Sequence, residues 1–354
     1  MAEGPAAGSD GLGVNVLTAW SNEGRLIPFA PAGRLLAEFR LPALDRRDPK
    51  LPPPGLYPVP TTAVLVPPRT SPSSAPMPTE TLRTSAGKMA YTDVGTGPPL
   101  LFLHGNPTSA RLYRSLIRAL APTYRCIAPD YLGFGRSEAP AAFSYRPPAH
   151  AALIEGLLRR LDLTDLTLVL HDWGGPIGCS YALRHPDTVR RLILTNTWAW
   201  PLTHRPLVRT FGRLVGTPIG RVAVERFNAF ARGVLPFTVG GGPARPAWLR
   251  AYADALDSRA RRRACWTFAR SLTAETDWLR ALWTRRARLR NCPTLLCWGL
   301  ADPAFGTAAT LDRWRTLLPE ATVHCYPKVG HYVPEERGPA LVPPVRQFLR
   351  STAP

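Results

Sequence analysis

Short β-type runs alternate with helical stretches from Leu82 to the end of the chain. Each run has the length of a buried strand and is almost wholly apolar, as strands covered on both faces are. Helical stretches between such runs are typical of parallel β-α-β units. The sequence therefore predicts an α/β fold with a mostly parallel central sheet flanked by helices. The apolar runs are 100–103, 126–128, 166–170, 192–194, 294–298 and 322–326, and the helical stretches are 109–120, 150–161, 175–183, 308–318 and 339–349.

The alternation is interrupted between the fourth and the fifth run. Residues 199–292 are rich in Arg and Trp, have helical spacing and contain no convincing strand, so they predict a helical cap inserted into the fold. The two parts of the core are then 81–198 and 293–354. Residues 1–80 include a Pro-rich run over 51–78 that cannot hold a helix or a central strand. They predict a largely disordered extension.

The charge of the chain is concentrated in the predicted cap. The chain carries a net charge of +19, and residues 199–292 hold 18 arginines against five acidic residues. Basic patches can bind nucleic acid, but no zinc-finger, RNA-binding or helix-turn-helix motif accompanies these arginines. We therefore expect most of them on the solvent-facing sides of helices, and we expect no nucleic-acid partner. Attraction of anions or of another polyanionic partner stays open.

The sequence shows neither a targeting signal nor a metal-binding cysteine pair. No stretch approaches the roughly 18 uninterrupted apolar residues of a membrane span, and the N-terminus lacks the pattern of a secretory signal. The six cysteines are scattered, with no C-x-x-C pair. We expect a cytoplasmic protein with no membrane span, no metal, no cofactor and unreactive thiols.

The segment 170–175, Leu-His-Asp-Trp-Gly-Gly, ends the third apolar run and begins a helix. In α/β hydrolases the nucleophile lies on such a strand-to-helix turn, and small residues after it let the helix pack closely. The nucleophile position holds Asp172, and the sequence contains no Gly-x-Ser-x-Gly motif. A carboxylate can displace a leaving group from a saturated carbon without first losing a proton, and water then cleaves the ester. Asp172 therefore predicts chemistry on halides or epoxides.

A second loop, 102–109 (Phe-Leu-His-Gly-Asn-Pro-Thr-Ser), follows the first apolar run. In this type of fold that loop faces the nucleophile and supplies one backbone N–H of the oxyanion hole, and the residue after the nucleophile supplies the other. The two donors are then Asn106 and Trp173. Both also have side-chain N–H groups, which can hold an anion without adding a positive charge.

A carboxylate and a histidine follow in the order that a catalytic triad needs. Asp302 lies just past the fifth apolar run, and His331 lies just past the sixth. The other position for the acid, 195–201, reads Thr-Asn-Thr-Trp-Ala-Trp-Pro and offers no carboxylate. We therefore expect Asp302 to orient His331, which takes a proton from the water that attacks the ester.

These motifs together resemble the haloalkane dehalogenase family, whose members have the α/β-hydrolase fold. The resemblance covers roughly 82–349 and includes the segments 91–95, 125–140 and 196–201. It implies hydrolysis of a carbon–halogen bond of a small uncharged haloalkane, without a cofactor, to an alcohol and a halide ion. It also implies that Asn106 and Trp173 bind the halide and that Phe305 touches the substrate.

Several alternatives share the scaffold. Soluble-type epoxide hydrolases also use an aspartate nucleophile, but they take acid assistance from two cap tyrosines, and residues 199–292 contain only Tyr252. Fluoroacetate dehalogenases typically carry Arg after the nucleophile, where this chain has Trp173. Coelenterazine-type luciferases resemble a different subgroup of the dehalogenases, in which the acid of the catalytic triad lies at another position in the sequence. A catalytically silent binding module would be expected to have lost one of Asp172, Asp302 and His331.

Overall fold

The structure is a computed structural model that describes residues 77–240 and 246–352, and the backbone of two short segments at 17–20 and 26–29. The strands in these parts of the chain are β1 (Leu17–Trp20), β2 (Leu26–Phe29), β3 (Glu80–Arg83), β4 (Lys88–Val94), β5 (Pro99–Leu103), β6 (Arg125–Pro129), β7 (Leu166–Asp172), β8 (Val189–Thr197), β9 (Thr294–Gly299) and β10 (Thr322–Tyr326).

The helices of the described residues are α1 (Arg114–Leu120), α2 (Pro147–Leu161), α3 (Gly174–Arg184), α4 (Pro206–Gly216), α5 (Pro218–Phe227), α6 (Ala247–Ala255), α7 (Arg259–Ala274), α8 (Thr276–Thr284), α9 (Ala308–Leu317), α10 (Val333–Arg337) and α11 (Val342–Ser351). Short 3₁₀ or π turns lie at Ala110–Tyr113, Pro186–Thr188, Phe230–Val234, Leu235–Thr238, Arg286–Leu289 and Gly338–Leu341.

Strands β3 to β10 form one sheet in the order β10-β9-β8-β7-β5-β6-β4-β3. All neighbours are parallel except at one edge, where β4 pairs antiparallel with both β3 and β6. Strand β7 lies in the middle of the sheet and is buried along its whole length. Each predicted apolar run is a strand of this sheet, and the predicted α/β class with a mostly parallel sheet is confirmed.

The end of β7 is the natural position for a ligand. In open α/β sheets, ligands bind outside the carboxyl ends of the strands, where the strand order reverses. Strand β5 pairs with β6 on one side and with β7 on the other, so the chain changes direction of winding there. The loops after β5, β7, β8 and β9 all open at that edge, and they carry the motifs found in the sequence.

The chain between β8 and β9 contains no strand in its described residues, and it includes helices α4 to α8. Helices α4 and α5 both pack on α7. Helix α7 in turn is tied to the core, because Arg261 donates to the carbonyl oxygens of Gly135 and Ser137. This part of the chain is called the helical insertion below.

The N-terminal part of the chain is described only in part. Strands β1 and β2 pair antiparallel and belong to a compact unit that ends at Thr70. The Pro-rich run 51–78 lies outside the described residues apart from its last two, so the predicted disorder stays a prediction. The sheet itself begins at Glu80, one residue before the core predicted to start at 81.

Candidate active site

The turn from β7 to α3 brings Asp172 to the edge of the sheet in a left-handed backbone conformation, with a φ of 48°. The backbone carbonyl of Asp172 accepts a hydrogen bond of 2.6 Å from Thr197 Oγ1. The glycines after it allow close packing: a Cβ at Gly174 would lie 2.0 Å from Leu103 O, and one at Gly175 would lie 1.8 Å from Thr197 Oγ1. The close packing at the sharp turn therefore requires glycine at both positions.

The two oxygens of the Asp172 carboxylate have different surroundings. Oδ2 accepts a hydrogen bond of 2.7 Å from Asn106 N–H. The backbone N–H of Trp173 also donates to this carboxylate. Oδ1 lies 3.7 Å from His331 Nε2. The structure thus brings the predicted nucleophile, the two predicted backbone donors and the predicted base together at one point.

The imidazole of His331 is held from behind by Asp302. His331 Nδ1 lies 2.8 Å from Asp302 Oδ2, so this nitrogen carries the proton and Nε2 is left free to accept one. Asp302 is fully buried, and its other oxygen accepts 2.7 Å from Ala304 N–H. The arrangement Asp172–His331–Asp302 has the geometry of a catalytic triad.

Asn196 is a further part of this network that the sequence motifs did not reveal. Its Nδ2 donates to Asp302 Oδ2 at 2.8 Å and to Gly299 O at 2.9 Å, and its Oδ1 accepts from Gly299 N at 2.7 Å. The side chain of Asn196 therefore fixes the acid to the end of β9. No local sequence pattern marked Asn196 as part of the site, because its partners Gly299 and Asp302 lie more than 100 residues further along the chain.

The pKa values of the three groups follow from burial and from their mutual contacts. Burial raises the pKa of Asp172, and the charge of His331 with the hydrogen bonds from Asn106 and Trp173 offsets this only in part. Burial also raises the pKa of Asp302, but His331 and its other donors outweigh it and leave the pKa below its usual value. The lowered pKa keeps the carboxylate of Asp302 ionised.

His331 shows the opposite balance. Burial lowers its pKa, but the charge and hydrogen bond of Asp302, and then the charge of Asp172, outweigh burial and leave the pKa above its ordinary value. The charge of Asp172 is one of these contributions, so its loss would lower the pKa of His331 and favour the neutral form of the imidazole.

Aromatic side chains form the walls around the carboxylate. The Trp173 ring meets Trp198 edge-to-face at 4.9 Å and lies 5.8 Å from Phe268 of α7. Phe305 stacks on Trp198 at 4.4 Å and lies 5.6 Å from the His331 ring. Trp198 Nε1 is buried without a hydrogen-bond partner among the described residues. Phe305 therefore lies beside the triad, and Trp198 is a wall residue that the sequence motifs did not single out.

The side chain of Asn106 links the nucleophile to the helical insertion. Its Nδ2 donates to the carbonyl oxygen of Cys265 in α7 at 3.2 Å, and its Oδ1 has no partner in the described chain. The hydroxyl of Tyr332, next to the base, donates to Asn106 O at 3.1 Å. One N–H of the Asn106 amide is left for a ligand.

Tyr131, after β6, is a second aromatic group near the nucleophile that the motifs missed. Its ring packs 4.3 Å from His104, and its buried hydroxyl has no partner among the described residues. Burial raises its pKa far above the usual value, and the charge of Asp172 adds to this. The Tyr131 hydroxyl therefore stays protonated.

The described residues contain neither a metal-binding cluster nor a membrane-spanning helix. No cluster of His, Cys, Asp and Glu in them has the geometry of a metal site. None of the helices in the described ranges combines the length and the apolar character that crossing a membrane requires.

The fold and the site define an α/β hydrolase. The family model described as "alpha/beta hydrolase fold" matches residues 98–338. Haloalkane dehalogenase 2 of Mycobacterium tuberculosis is 36% identical over 259 residues, which are 71% of this chain and 88% of the relative. A loop variant of the haloalkane dehalogenase DbeA from Bradyrhizobium elkanii superposes with a TM-score of 0.69 at 28% identity, over 78% of this chain and 97% of that one. This chain therefore belongs to the haloalkane dehalogenase family.

A relative with a different activity matches at similar length. The cis-3-alkyl-4-alkyloxetan-2-one decarboxylase of Shewanella oneidensis is 32% identical over 280 residues, which are 77% of this chain and 88% of the relative. The relatives of this chain therefore include two reaction types.

Proposed function

We propose that this protein is a haloalkane dehalogenase that works through an ester on Asp172. Oδ1 attacks the halogen-bearing carbon in line, the carbon–oxygen bond forms and the halide leaves with the bonding electrons. Water then attacks the ester carbon Cγ while His331 takes its proton, the bond between Cγ and Oδ1 breaks, and Oδ1 leaves on the alkyl group and takes up a proton. Alcohol, halide and a proton are the products. The observation that supports this is the arrangement of the Asp172 carboxylate, which is held by the backbone N–H groups of Asn106 and Trp173, with Oδ2 on the Asn106 donor and Oδ1 facing the base.

The same arrangement serves both steps. Before the attack, the donors from Asn106 and Trp173 hold the carboxylate in one orientation. During hydrolysis, negative charge develops on Oδ2, and the same two N–H groups stabilise it. The side-chain N–H groups of these two residues are then proposed to hold the departing halide, with Phe305 and Trp198 against the alkyl group. Neutral donors and aromatic walls favour a small uncharged substrate.

We also propose that the helical insertion, 199–292, is a cap that covers this site, and that the protein is cytoplasmic. The contact of α7 with Asn106 supports the first proposal. Six free cysteines support the second, because thiols persist in the reducing compartments of the cell.

A second candidate function is decarboxylation of an oxetan-2-one, which the relative from Shewanella oneidensis supports. Asp172 Oδ1 would attack the saturated ring carbon C4, which carries the ring oxygen. The bond between C4 and the ring oxygen would break, and this opens the ring and leaves a free carboxylate on C3. Loss of carbon dioxide from that intermediate, with departure of the Asp172 carboxylate, gives an alkene. This route needs no attacking water, so it does not need His331 as a base.

Epoxide hydrolysis has less support. Tyr252, the only tyrosine of 199–292, is buried and donates to Glu335 Oε1 at 2.6 Å. It is therefore engaged with Glu335 and is not a free proton donor at the nucleophile. Tyr131, whose buried hydroxyl has no partner among the described residues and whose pKa is raised by the charge of Asp172, lies in the core and not in the insertion.

The deciding experiment follows the products of three substrate classes. Halide release from dibromoethane, iodobutane and bromohexane is measured beside diol from styrene oxide and carbon dioxide from a cis-dialkyl oxetan-2-one. We expect halide release, which Asp172→Asn abolishes. The matched control is Asp187→Asn, which removes an exposed carboxylate beyond the other end of α3 and leaves the rate unchanged. Carbon dioxide or diol without halide would assign one of the other reactions, and no product at all would reject the proposal.

The pH dependence gives a separate prediction. Protonated His331 cannot accept a proton, so the rate of ester hydrolysis falls as the pH drops through the pKa of this residue, which the charge of Asp302 raises. Asp302→Asn removes the charge that raises this pKa, so the acid limb of kcat moves to lower pH. The maximal rate falls on the order of a hundredfold, because the imidazole loses its orientation.

The control for the pH experiment is Asp312→Asn. Asp312 is an exposed partner of Arg315 on α9, and its replacement leaves the profile unchanged. An acid limb that does not move in Asp302→Asn would show that His331 is not the group that titrates.

A further inference from the structure

Helices α4 and α5 present large apolar side chains to solvent. Their inner sides, with Val208, Gly212, Val215 and Val224, are buried, and both helices pack on α7. A monomeric protein rarely exposes so many large apolar side chains together. The exposed set, called the α4–α5 outer face, consists of Leu207 (63% exposed), Leu214 (65%), Ile219 (81%), Val222 (51%) and Phe227 (68%).

The same two helices carry exposed arginines. Arg209, Arg213 and Arg226 are exposed, and none of them forms an ion pair within the described ranges. The only acidic residue of α4 and α5 is Glu225, which is buried and bound by Arg221 and by an arginine of α7. The α4–α5 outer face therefore combines apolar side chains with exposed guanidinium groups, and neither helix contributes an exposed carboxylate to it.

We propose that the α4–α5 outer face binds the surface of an anionic phospholipid bilayer. The leucine, isoleucine and phenylalanine side chains enter the boundary between headgroups and acyl chains, and the arginines bind lipid phosphates. This combination of groups is the one that interfacial helices use. A polyanion such as DNA would account for the arginines but not for the apolar groups. A second copy of the chain would bring two positively charged faces together.

The position of the face connects it to the active site. Helix α7 packs under α4 and α5 on one side, and on the other side its Cys265 carbonyl accepts from Asn106 and its Phe268 ring lies 5.8 Å from Trp173. One helix therefore separates the lipid-binding helices from the nucleophile. If the proposed function holds, the apolar substrates of this enzyme also concentrate in the bilayer that the face binds. The docking itself does not depend on that activity.

The test is sedimentation of the full chain with vesicles of phosphatidylcholine, alone or mixed with phosphatidylglycerol. We expect binding to the mixed vesicles, weakened by salt, and none to phosphatidylcholine alone. Leu214→Gln with Phe227→Gln removes apolar contacts without changing charge, and Arg213→Gln with Arg226→Gln removes two charges. Each pair weakens binding by on the order of tenfold.

The matched control is Arg159→Gln with Arg160→Gln, which removes two exposed charges from α2 and keeps the binding. No binding of the unaltered protein to mixed vesicles would overturn the proposal. If the control pair lost as much vesicle binding as the other pairs, or if the apolar pair bound vesicles as well as the unaltered protein, the binding would be general charge attraction. Either result would also overturn the proposal. A dimer detected by light scattering that the apolar pair abolishes would assign the face to a second copy instead. All variants keep their rate on a water-soluble substrate, so failure of docking is distinct from failure of the proposed activity.

Discussion

His331→Gln should stop turnover after the first chemical step and leave an alkyl group covalently attached to Asp172. The attack by Oδ1 needs no base, because the carboxylate is already ionised. The hydrolysis step needs a group that takes a proton from water, and His331 Nε2, 3.7 Å from Oδ1, is the group in position. Loss of a general base slows such a step by about a hundredfold to ten-thousandfold.

Intact-protein mass spectrometry after incubation with iodobutane checks this expectation, with a mass increase of one butyl group in place of one hydrogen. Peptide mapping should place the increase on Asp172. The double variant His331→Gln with Asp172→Asn should show no increase. His324→Gln, which changes a half-buried histidine outside the site, should turn over normally. Steady turnover by His331→Gln would remove this residue from the mechanism.

Gly174→Ala should destabilise the fold and abolish activity together. A Cβ at position 174 would lie 2.0 Å from Leu103 O and 2.7 Å from Leu103 C, and both are backbone atoms of β5 that cannot rotate away. Either α3 or β5 must move, and such overpacking costs about 3 kcal/mol. The displaced segment leads directly into the Asn106 loop, so the backbone donor to Asp172 would move as well.

Gly156→Ala is the matched control for this substitution. Gly156 lies inside α2, and a Cβ there would meet nothing within 4 Å. Alanine is a better helix former than glycine, so this variant should gain about 0.5–1 kcal/mol and stay fully active. Urea unfolding and halide release on both variants separate the two cases. Equal stability of the two variants would show that the turn is not as tightly packed as the structure indicates.

The sequence was most informative about the buried strands and about the residues that directly follow them. Strands β5 to β9 are covered on both faces, and their apolar runs were visible directly. The edge strand β3 and its neighbour β4 were not predicted, because exposed and buried positions are mixed there and Lys88 begins β4. The order Asp172, Asp302, His331 also followed from where each residue stands after its strand.

Other features are contacts between residues that lie far apart in the sequence, and no local sequence pattern indicates them. The sequence showed only that 195–201 holds no carboxylate, whereas the structure shows that Asn196 binds Asp302. The bond between Asn106 and Cys265 spans 159 positions and depends on how the insertion folds back over the core. Such contacts arise from tertiary packing, and residue types alone do not predict them.

The hydrogen bond from the Asn106 side chain to Cys265 O has a consequence for product release. Under the proposed function, the amide that holds the halide is anchored to the backbone of α7. Any outward movement of α7 removes that anchor and loosens the ion at the same time. Opening of the insertion and departure of the halide then become one event, so the motion of a single helix governs the exit of a charged product from an apolar site.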